Sequence, residues 1–293
     1  MLPDADMLRT ASRQASACAE RLRLPLRARV WQGAAGEMAG AGTGVSMDFQ
    51  DHRPYFPGDD PRHINWQAYA RTGQYTMKLY REEVRPAVDI LFDVSPSMFL
   101  TGEKARLSSV LFHLAFECAL RAGAVPAVHL LRGPEPRRIE PGVVAALRWV
   151  EEIPDDGGPA NTPPPLHVPR LRPNGLRVLV SDLLFPGDPA LPMRTLAQGH
   201  GTAIVFCPYA AEEARPEWHG PCDFRDVESG ARESRRMDAG AMRRYHAAYD
   251  GHFRHWKEQS IRFHTPLARI AASGSLENAI TSATLAAGAL ETC

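Results

Sequence analysis

The sequence has few cysteines and no paired cysteine motif. Its five cysteines are an odd number and are widely scattered, and no Cys-x-x-Cys pair occurs. This excludes a zinc knuckle and a thioredoxin-like redox motif, and it suits a reducing cytosol better than a disulfide scaffold. Charge of one sign is also missing, because Lys+Arg and Asp+Glu both number 34. A zero net charge disfavours a role in coating nucleic acid.

Long apolar runs are absent as well. The N-terminus has acidic residues and no apolar stretch of the signal-peptide kind, and the longest apolar run, near residues 107–120, is interrupted and too short for a bilayer. We therefore expect a cytoplasmic chain with no membrane span and no nucleic-acid partner.

Common catalytic and nucleotide-binding motifs are not found either. The sequence has no GxxxxGK[ST], no GxSxG and no HExxH, which disfavours a phosphate loop, a nucleophile elbow and a zincin site. Three histidines lie on one predicted helix: His246, His252 and His255. The last two could share a face, but a zinc site would need a third ligand.

What the sequence has is a regular alternation of apolar runs and helical patterns, with 44% hydrophobic residues. Predicted strands cover residues 87–92, 125–131, 177–180 and 203–206. Predicted helices cover residues 103–121, 143–153, 190–198 and 238–260. The helix over 103–121 carries apolar residues at i, i+3, i+4 and i+7. Such alternation predicts an α/β fold with a mainly parallel sheet flanked by helices.

The N-terminal part has a different pattern and predicts an α+β extension. A seven-residue apolar spacing indicates a short amphipathic helix before Pro25. Asp60 followed by Pro61 predicts the start of another helix, whose Trp66 and Tyr69 we expect in a core. We divide the chain into an N-terminal extension (1–84), the sheet domain (85–265) and a C-terminal tail (266–293).

Oxygen-bearing side chains follow the predicted strand over residues 87–92. Asp93, Ser95 and Ser97 lie within five residues, directly after that strand. Ligands bind outside the carboxyl ends of strands in parallel sheets. Carboxylate and hydroxyl oxygens are hard donors that suit Mg²⁺ or Mn²⁺. This loop therefore predicts part of a divalent-cation site.

Two further residues could complete that site. Asp182 follows the strand over 177–180 in the position corresponding to Asp93, so the two carboxylates can converge at one sheet edge. Thr162, in the preceding proline-rich loop, is a candidate for another hydroxyl. Two carboxylates and three hydroxyls under-neutralise a dication, which could then accept an acidic oxygen from a partner. Alternatively, these residues only cap helices and form turns, as Asp and Ser commonly do after strands.

The segment DVSPS at 93–97, with Thr162 and Asp182, resembles the metal-ion-dependent adhesion site of a von Willebrand factor type A domain. Residues 53–66 (RPYFPGDDPRHINW) and residues 226–230 (DVESG) are similar to the DUF58 family, bacterial proteins that contain such a domain. The similarity covers most of the chain, from about Gly42 to Tyr249.

This resemblance implies a von Willebrand factor A-like, Rossmann-like sheet that binds proteins through a divalent ion. It also implies a partner ATPase of the MoxR AAA+ type and a chaperone-like role in maturing a client enzyme or complex. Our first hypothesis is thus a non-catalytic, metal-dependent adaptor whose client offers an acidic residue. The alternatives are a metal-dependent hydrolase that uses the same carboxylates and a metal-free scaffold.

Overall fold

The computed structural model describes residues 2–26, 47–57, 59–82, 85–154, 162–167 and 169–293. The chain forms two compact units: a large unit of Met1–Leu26 with Ala87–Cys293, and a small unit of Arg27–Pro86. The three-part division expected above stays a prediction.

The strands and helices alternate along most of the described chain. The strands are β1 (Leu22–Arg23), β2 (Met47–Pro54), β3 (Thr76–Glu82), β4 (Ala87–Asp93), β5 (Val125–Leu131), β6 (Arg137–Ile139), β7 (Leu176–Val180), β8 (Thr202–Tyr209), β9 (Gly220–Arg225), β10 (Arg232–Met237), β11 (Leu267–Ala271) and β12 (Glu291–Thr292). The helices are α1 (Ala5–Ala19), α2 (Trp66–Thr72), α3 (Gly102–Arg121), α4 (Pro141–Ala145), α5 (Ala190–Ala197), α6 (Ala211–Ala214), α7 (Ala239–Arg262) and α8 (Leu276–Ala286). Within the described residues, no helix is both long enough and apolar enough to cross a membrane.

A six-stranded sheet forms the centre of the large unit, in the order β11-β8-β7-β4-β5-β6. Neighbouring strands are parallel except at one edge, where β6 runs antiparallel to β5. The predicted α/β class, with a mainly parallel sheet flanked by helices, is confirmed. In a parallel sheet the carboxyl ends of the strands meet at one edge, and Asp93 and Asp182 lie at that edge.

Both faces of this sheet are buried, which explains why its strands are nearly continuous apolar runs. In β4, Ile90 and Phe92 point into one core, which they share with α1, α3 and α8. Leu91, between them, points into the opposite core, shared with α5 and α7. β7 and β8 alternate in the same way. Burial on both faces holds the strand ends in fixed register.

The helix predicted over 143–153 is divided in the structure. α4 ends at Ala145, and a short 3-10 helix follows at Trp149–Glu152. Between them the backbone of Leu147 is left-handed (φ 59°), which interrupts helical hydrogen bonding. The interruption lets Trp149 turn inward, where it is fully buried and packs edge-on against Phe92 at 5.2 Å between ring centroids.

Gly201, before β8, is required by close packing, and its replacement by alanine is expected to destabilise the protein. A Cβ at Gly201 would lie 2.5 Å from Cζ of Arg177. That guanidinium is buried and donates to the backbone oxygens of Leu196 and Arg172, so it has little room to move. We expect a loss of about 1–3 kcal/mol in denaturant unfolding. Gly251→Ala is the control, since nothing lies within 4 Å of that position and alanine favours a helix; equal effects of the two variants would contradict this account.

The small unit contains the antiparallel pair of β2 and β3, and helix α2. The predicted cap at Asp60 is present, since its carboxylate accepts the backbone N–H of Arg62 at 2.9 Å. The expectation that Trp66 lies in a core is wrong, because Trp66 is 58% exposed. It instead begins α2 after the capping residue Asn65 and makes an edge contact with Tyr69 at 6.1 Å.

Candidate functional site

The ends of β4 and β7 lie side by side and bring two predicted residues together. The strands are parallel neighbours, with Phe92 opposite Val180. The next residues in each strand direction are therefore adjacent: the Ser181 hydroxyl donates to Oδ2 of Asp93 at 2.7 Å. Asp182 follows immediately and is also buried. The two predicted aspartates thus lie at one edge of the sheet.

The loop after β4 presents two serine hydroxyls beside Asp93. Oδ1 of Asp93 accepts the backbone N–H of Ser95 at 3.0 Å, and the hydroxyl oxygens of Ser95 and Ser97 are 3.1 Å apart. Pro96 begins a 3-10 turn that buries Met98 completely, which anchors the loop. We call Asp93, Ser95, Ser97 and Asp182 the oxygen rim. The serines are half-buried, so this rim is reachable from outside.

Asp182 is also part of a buried ion cluster with Lys104 and Glu213. The Lys104 ammonium is 2.8 Å from Oδ2 of Asp182 and 2.5 Å from Oε1 of Glu213, and its side chain is fully buried. Burial opposes the charge on Lys104, but Asp182 and Glu213 together outweigh that cost and raise the lysine pKa. The other Glu213 oxygen accepts the backbone N–H of Ala210 at 2.8 Å, at the start of α6.

A fourth carboxylate reaches the oxygen rim from a distant part of the chain. Oε1 of Glu228, which lies between β9 and β10, accepts the backbone N–H of Ser97 at 3.0 Å. Burial raises the Glu228 pKa, and the negative charge of Asp182 adds to this effect.

Asp93 carries a charge that no ion pair among the described residues offsets. Burial, and next the repulsion from Asp182, raise the Asp93 pKa from 3.8 to about 6, although hydrogen bonds from Ser181 and Ser95 oppose the shift. Among the described residues, no ion pair joins Asp93 to a lysine or arginine; the ion pairs of this region belong to Lys104. At neutral pH the ionised Asp93 is therefore a buried anion with no ion-pair partner in the described part of the chain.

These properties fit a divalent cation. The rim offers carboxylate and hydroxyl oxygens, which Mg²⁺ and Mn²⁺ prefer, and a cation would offset the charge on Asp93. Across the described ranges, no three His, Cys, Asp or Glu side chains form a ligand group, so a cation here would depend on the serine hydroxyls and on water. Thr162 is exposed in the loop before β7. The next residue, Pro163, lies near the loop that follows Asp182, since its Cγ would be 3.8 Å from a Cβ added at Gly187. Its contribution stays a prediction.

Sequence reasoning missed Lys104, Glu213 and Glu228. Lys104 has a recognisable signal, because it lies three residues before Leu107 on the apolar stripe of α3, where a charge requires a buried partner. Glu213 and Glu228 lie in a stretch that reads as polar and irregular, and only the short DVESG segment marks the second.

One of the histidines considered for zinc, His252, contacts the chain beyond the oxygen rim. His252 Nε2 lies 2.8 Å from the backbone oxygen of Leu183 and 3.1 Å from Nε1 of Trp256. Leu183 follows Asp182 and has a left-handed backbone (φ 58°), an arrangement that the surrounding contacts must stabilise. With a proton on Nε2, His252 donates to the Leu183 oxygen and so supports the turn that carries the chain away from the oxygen rim.

Comparison with known proteins places the chain in a family. No curated protein matches it. The solved structures that it matches include the conserved hypothetical protein BatB from Bacteroides thetaiotaomicron (17% identity, 69% of this chain, 98% of that chain, TM-score 0.35). They also include an aerotolerance-related membrane protein from Bacteroides fragilis NCTC 9343 with multiple mutations to serines (15% identity, 69% of this chain, 98% of that chain, TM-score 0.35). The family described as "Protein of unknown function DUF58" matches residues 51–255, more than half of the sequence, and the chain therefore belongs to the DUF58 family.

Proposed function

We propose that this protein is a non-catalytic, divalent-cation-dependent protein-binding module of the von Willebrand factor A-like kind. The observation that carries the proposal is the oxygen rim, where Asp93 is fully buried, has no cationic partner among the described residues and lies beside two reachable serine hydroxyls. Asp93, Ser95 and Ser97 would hold the ion, and Asp182 would bind it either directly or through a water molecule. The bound ion would supply a positive centre for an acidic residue of a partner.

The buried ion cluster favours binding at this rim. Lys104 offsets part of the charge of Asp182 and Glu213, which leaves Asp93 as the least compensated carboxylate beside a bound ion. If Asp93 is the only carboxylate bound directly to the dication, with Asp182 contacting it through water, the ion keeps one unit of positive charge, which attracts a further carboxylate. The rim thus suits capture of an acidic side chain.

The partners that we propose are a MoxR-type AAA+ ATPase and a client enzyme or complex. This part rests on the resemblance carried by residues 53–66, 93–97 and 226–230, together with membership of the DUF58 family. A chaperone-like adaptor in the cytoplasm would use the rim to hold the client while the ATPase acts.

Titration calorimetry with Mg²⁺ and Mn²⁺ tests the cation site. The wild-type protein is expected to bind either ion, and the double variant Ser95→Ala, Ser97→Ala to bind at least about tenfold more weakly, because two oxygen donors are lost. Ser234→Ala, which changes an exposed serine on β10, should bind like the wild type. Absence of binding to the wild type, or equal binding by the double variant, would refute the site.

The ion cluster also supports a metal-free scaffold as the second candidate, because Lys104 already supplies one internal positive charge beside Asp182. Wild-type protein that neither binds nor is stabilised by Mg²⁺ or Mn²⁺ would favour this candidate. The hydrolase alternative is tested separately, by turnover of phosphoester and peptide substrates with and without Mg²⁺.

A further inference from the structure

The turn between β9 and β10 is constructed around one aspartate. Oδ1 of Asp226 accepts the backbone N–H groups of Glu228 at 2.9 Å and Ser229 at 2.7 Å, and the Ser229 hydroxyl at 2.9 Å. Gly230 closes the turn with a left-handed backbone (φ 71°) and a hydrogen bond to the Asp226 oxygen. These bonds fix the backbone of Glu228 and leave its own carboxylate free to bond elsewhere.

That carboxylate bonds to the oxygen rim, 131 residues away in sequence. The Ser97 N–H donates to it at 3.0 Å, and the Ser97 hydroxyl also bonds to it. The Ser95 hydroxyl lies 3.1 Å from the Ser97 hydroxyl. A backbone N–H with neighbouring hydroxyls is a chemistry that binds a carboxylate. Glu228 therefore lies where an acidic residue from another protein would approach the rim.

The rest of the hairpin is separate from the central sheet and largely exposed. β9 and β10 form a separate two-stranded sheet, and the β10 side chains are exposed except for Met237. At its base, Trp218 packs against Phe224 and Tyr245, with ring centroids 4.9 and 5.1 Å apart. The hairpin is thus anchored near α7 at its base, while Glu228 binds the oxygen rim from its turn.

We propose that Glu228 is an internal acidic ligand of the oxygen rim: it holds the position of a partner's acidic residue, and a partner binds by displacing it. This inference rests on the proposed function. A tethered carboxylate competes at a high effective concentration, so it suppresses binding of weak acidic ligands while a strong partner can still replace it. The hairpin then determines how tightly a partner must bind the oxygen rim before it can displace Glu228.

The test uses full-length protein loaded with Mn²⁺ and measures water-proton relaxation, which reports the number of water molecules on the ion. Glu228→Gln keeps an acceptor for the Ser97 N–H but removes the charge. We expect one more bound water in this variant than in the wild type. A short peptide containing a single glutamate should displace that water at a concentration about 10–100-fold lower than in the wild type, because the tethered competitor is gone.

A control variant and one further measurement distinguish failure of this inference from failure of the proposed function. Glu233→Gln, on the exposed face of the same hairpin, is the matched control and should behave like the wild type. In metal-free protein, Glu228→Ala should accelerate hydrogen exchange at the Ser97 amide. Wild-type protein that binds no Mn²⁺ would overturn the proposed function. Wild-type binding with the same bound water and peptide affinity in Glu228→Gln would overturn only the internal-ligand inference.

Discussion

Replacing Lys104 by methionine is expected to lower the free energy of unfolding by about 3–5 kcal/mol, the usual cost of removing one partner from a buried ion pair. The Lys104 side chain is fully buried and bonds to both Asp182 and Glu213, which are themselves 2% and 10% exposed. Because methionine fills a similar volume, the substitution leaves no cavity. The loss of stability therefore comes from the two carboxylates that are left without their cation.

Urea unfolding monitored by circular dichroism measures this effect at neutral pH. Lys257→Met, on the exposed face of α7, is the control and should change stability by less than about 0.5 kcal/mol. The triple variant Lys104→Met, Asp182→Asn, Glu213→Gln removes all three charges and should recover much of the loss. A loss below about 1 kcal/mol for Lys104→Met would show that the ion cluster does not stabilise the fold.

The central sheet and the oxygen rim could be predicted because their signals are local. β4 and β7 are apolar runs that end at Ser or Asp, and parallel strands share one carboxyl edge. From those two facts Asp93 and Asp182 can be placed at the same edge before any coordinates exist. The structure supplies the bond between the strand ends, from Ser181 to Asp93.

The ion cluster and the Glu228 contact could not be predicted because they join residues far apart in sequence. Lys104 meets Asp182 across 78 residues and Glu213 across 109, and no spacing rule connects them. β9 alternates half-buried and exposed residues, and β10 is polar and exposed up to Met237, so neither strand has the pattern of a core strand. Long-range polar contacts are decided by tertiary packing, which a single sequence does not display.

The ends of the chain show the same limitation. Residues 2–26 and β11 both belong to the large unit, where β11 pairs with β8. The buried positions of α1 are small, such as Ala11 and Ala15, and they pack against the core that contains α3. The seven-residue apolar spacing predicts α1 itself but does not indicate the core against which α1 packs, and the short edge strand β11 has little pattern of its own.

Replacing Asp93 by asparagine is expected to stabilise the metal-free protein while it abolishes stabilisation by Mg²⁺. The folded pKa of Asp93 is about 6 against an ordinary 3.8, so this group favours folding below about pH 4 and loses that contribution as the pH rises through 6. At pH 8 the neutral amide avoids a cost on the order of 3 kcal/mol. Asparagine can still accept the Ser95 N–H and can donate to the Ser181 hydroxyl, so the loop should keep its conformation.

Asp89→Asn is the matched control, because Asp89 is also a buried aspartate of β4 but is paired with Arg172 at 2.7 Å. Removing its charge leaves Arg172 without that partner and should destabilise the protein. Urea unfolding in EDTA at pH 5 and pH 8, and again at pH 8 with Mg²⁺, separates the two positions. Destabilisation by Asp93→Asn at pH 8 in EDTA would show that Asp93 has a cationic partner in solution, and retained stabilisation by Mg²⁺ would place the cation away from the oxygen rim. The opposite responses expected of two aspartates four residues apart follow from one difference, the presence of an arginine beside one and of open serine hydroxyls beside the other.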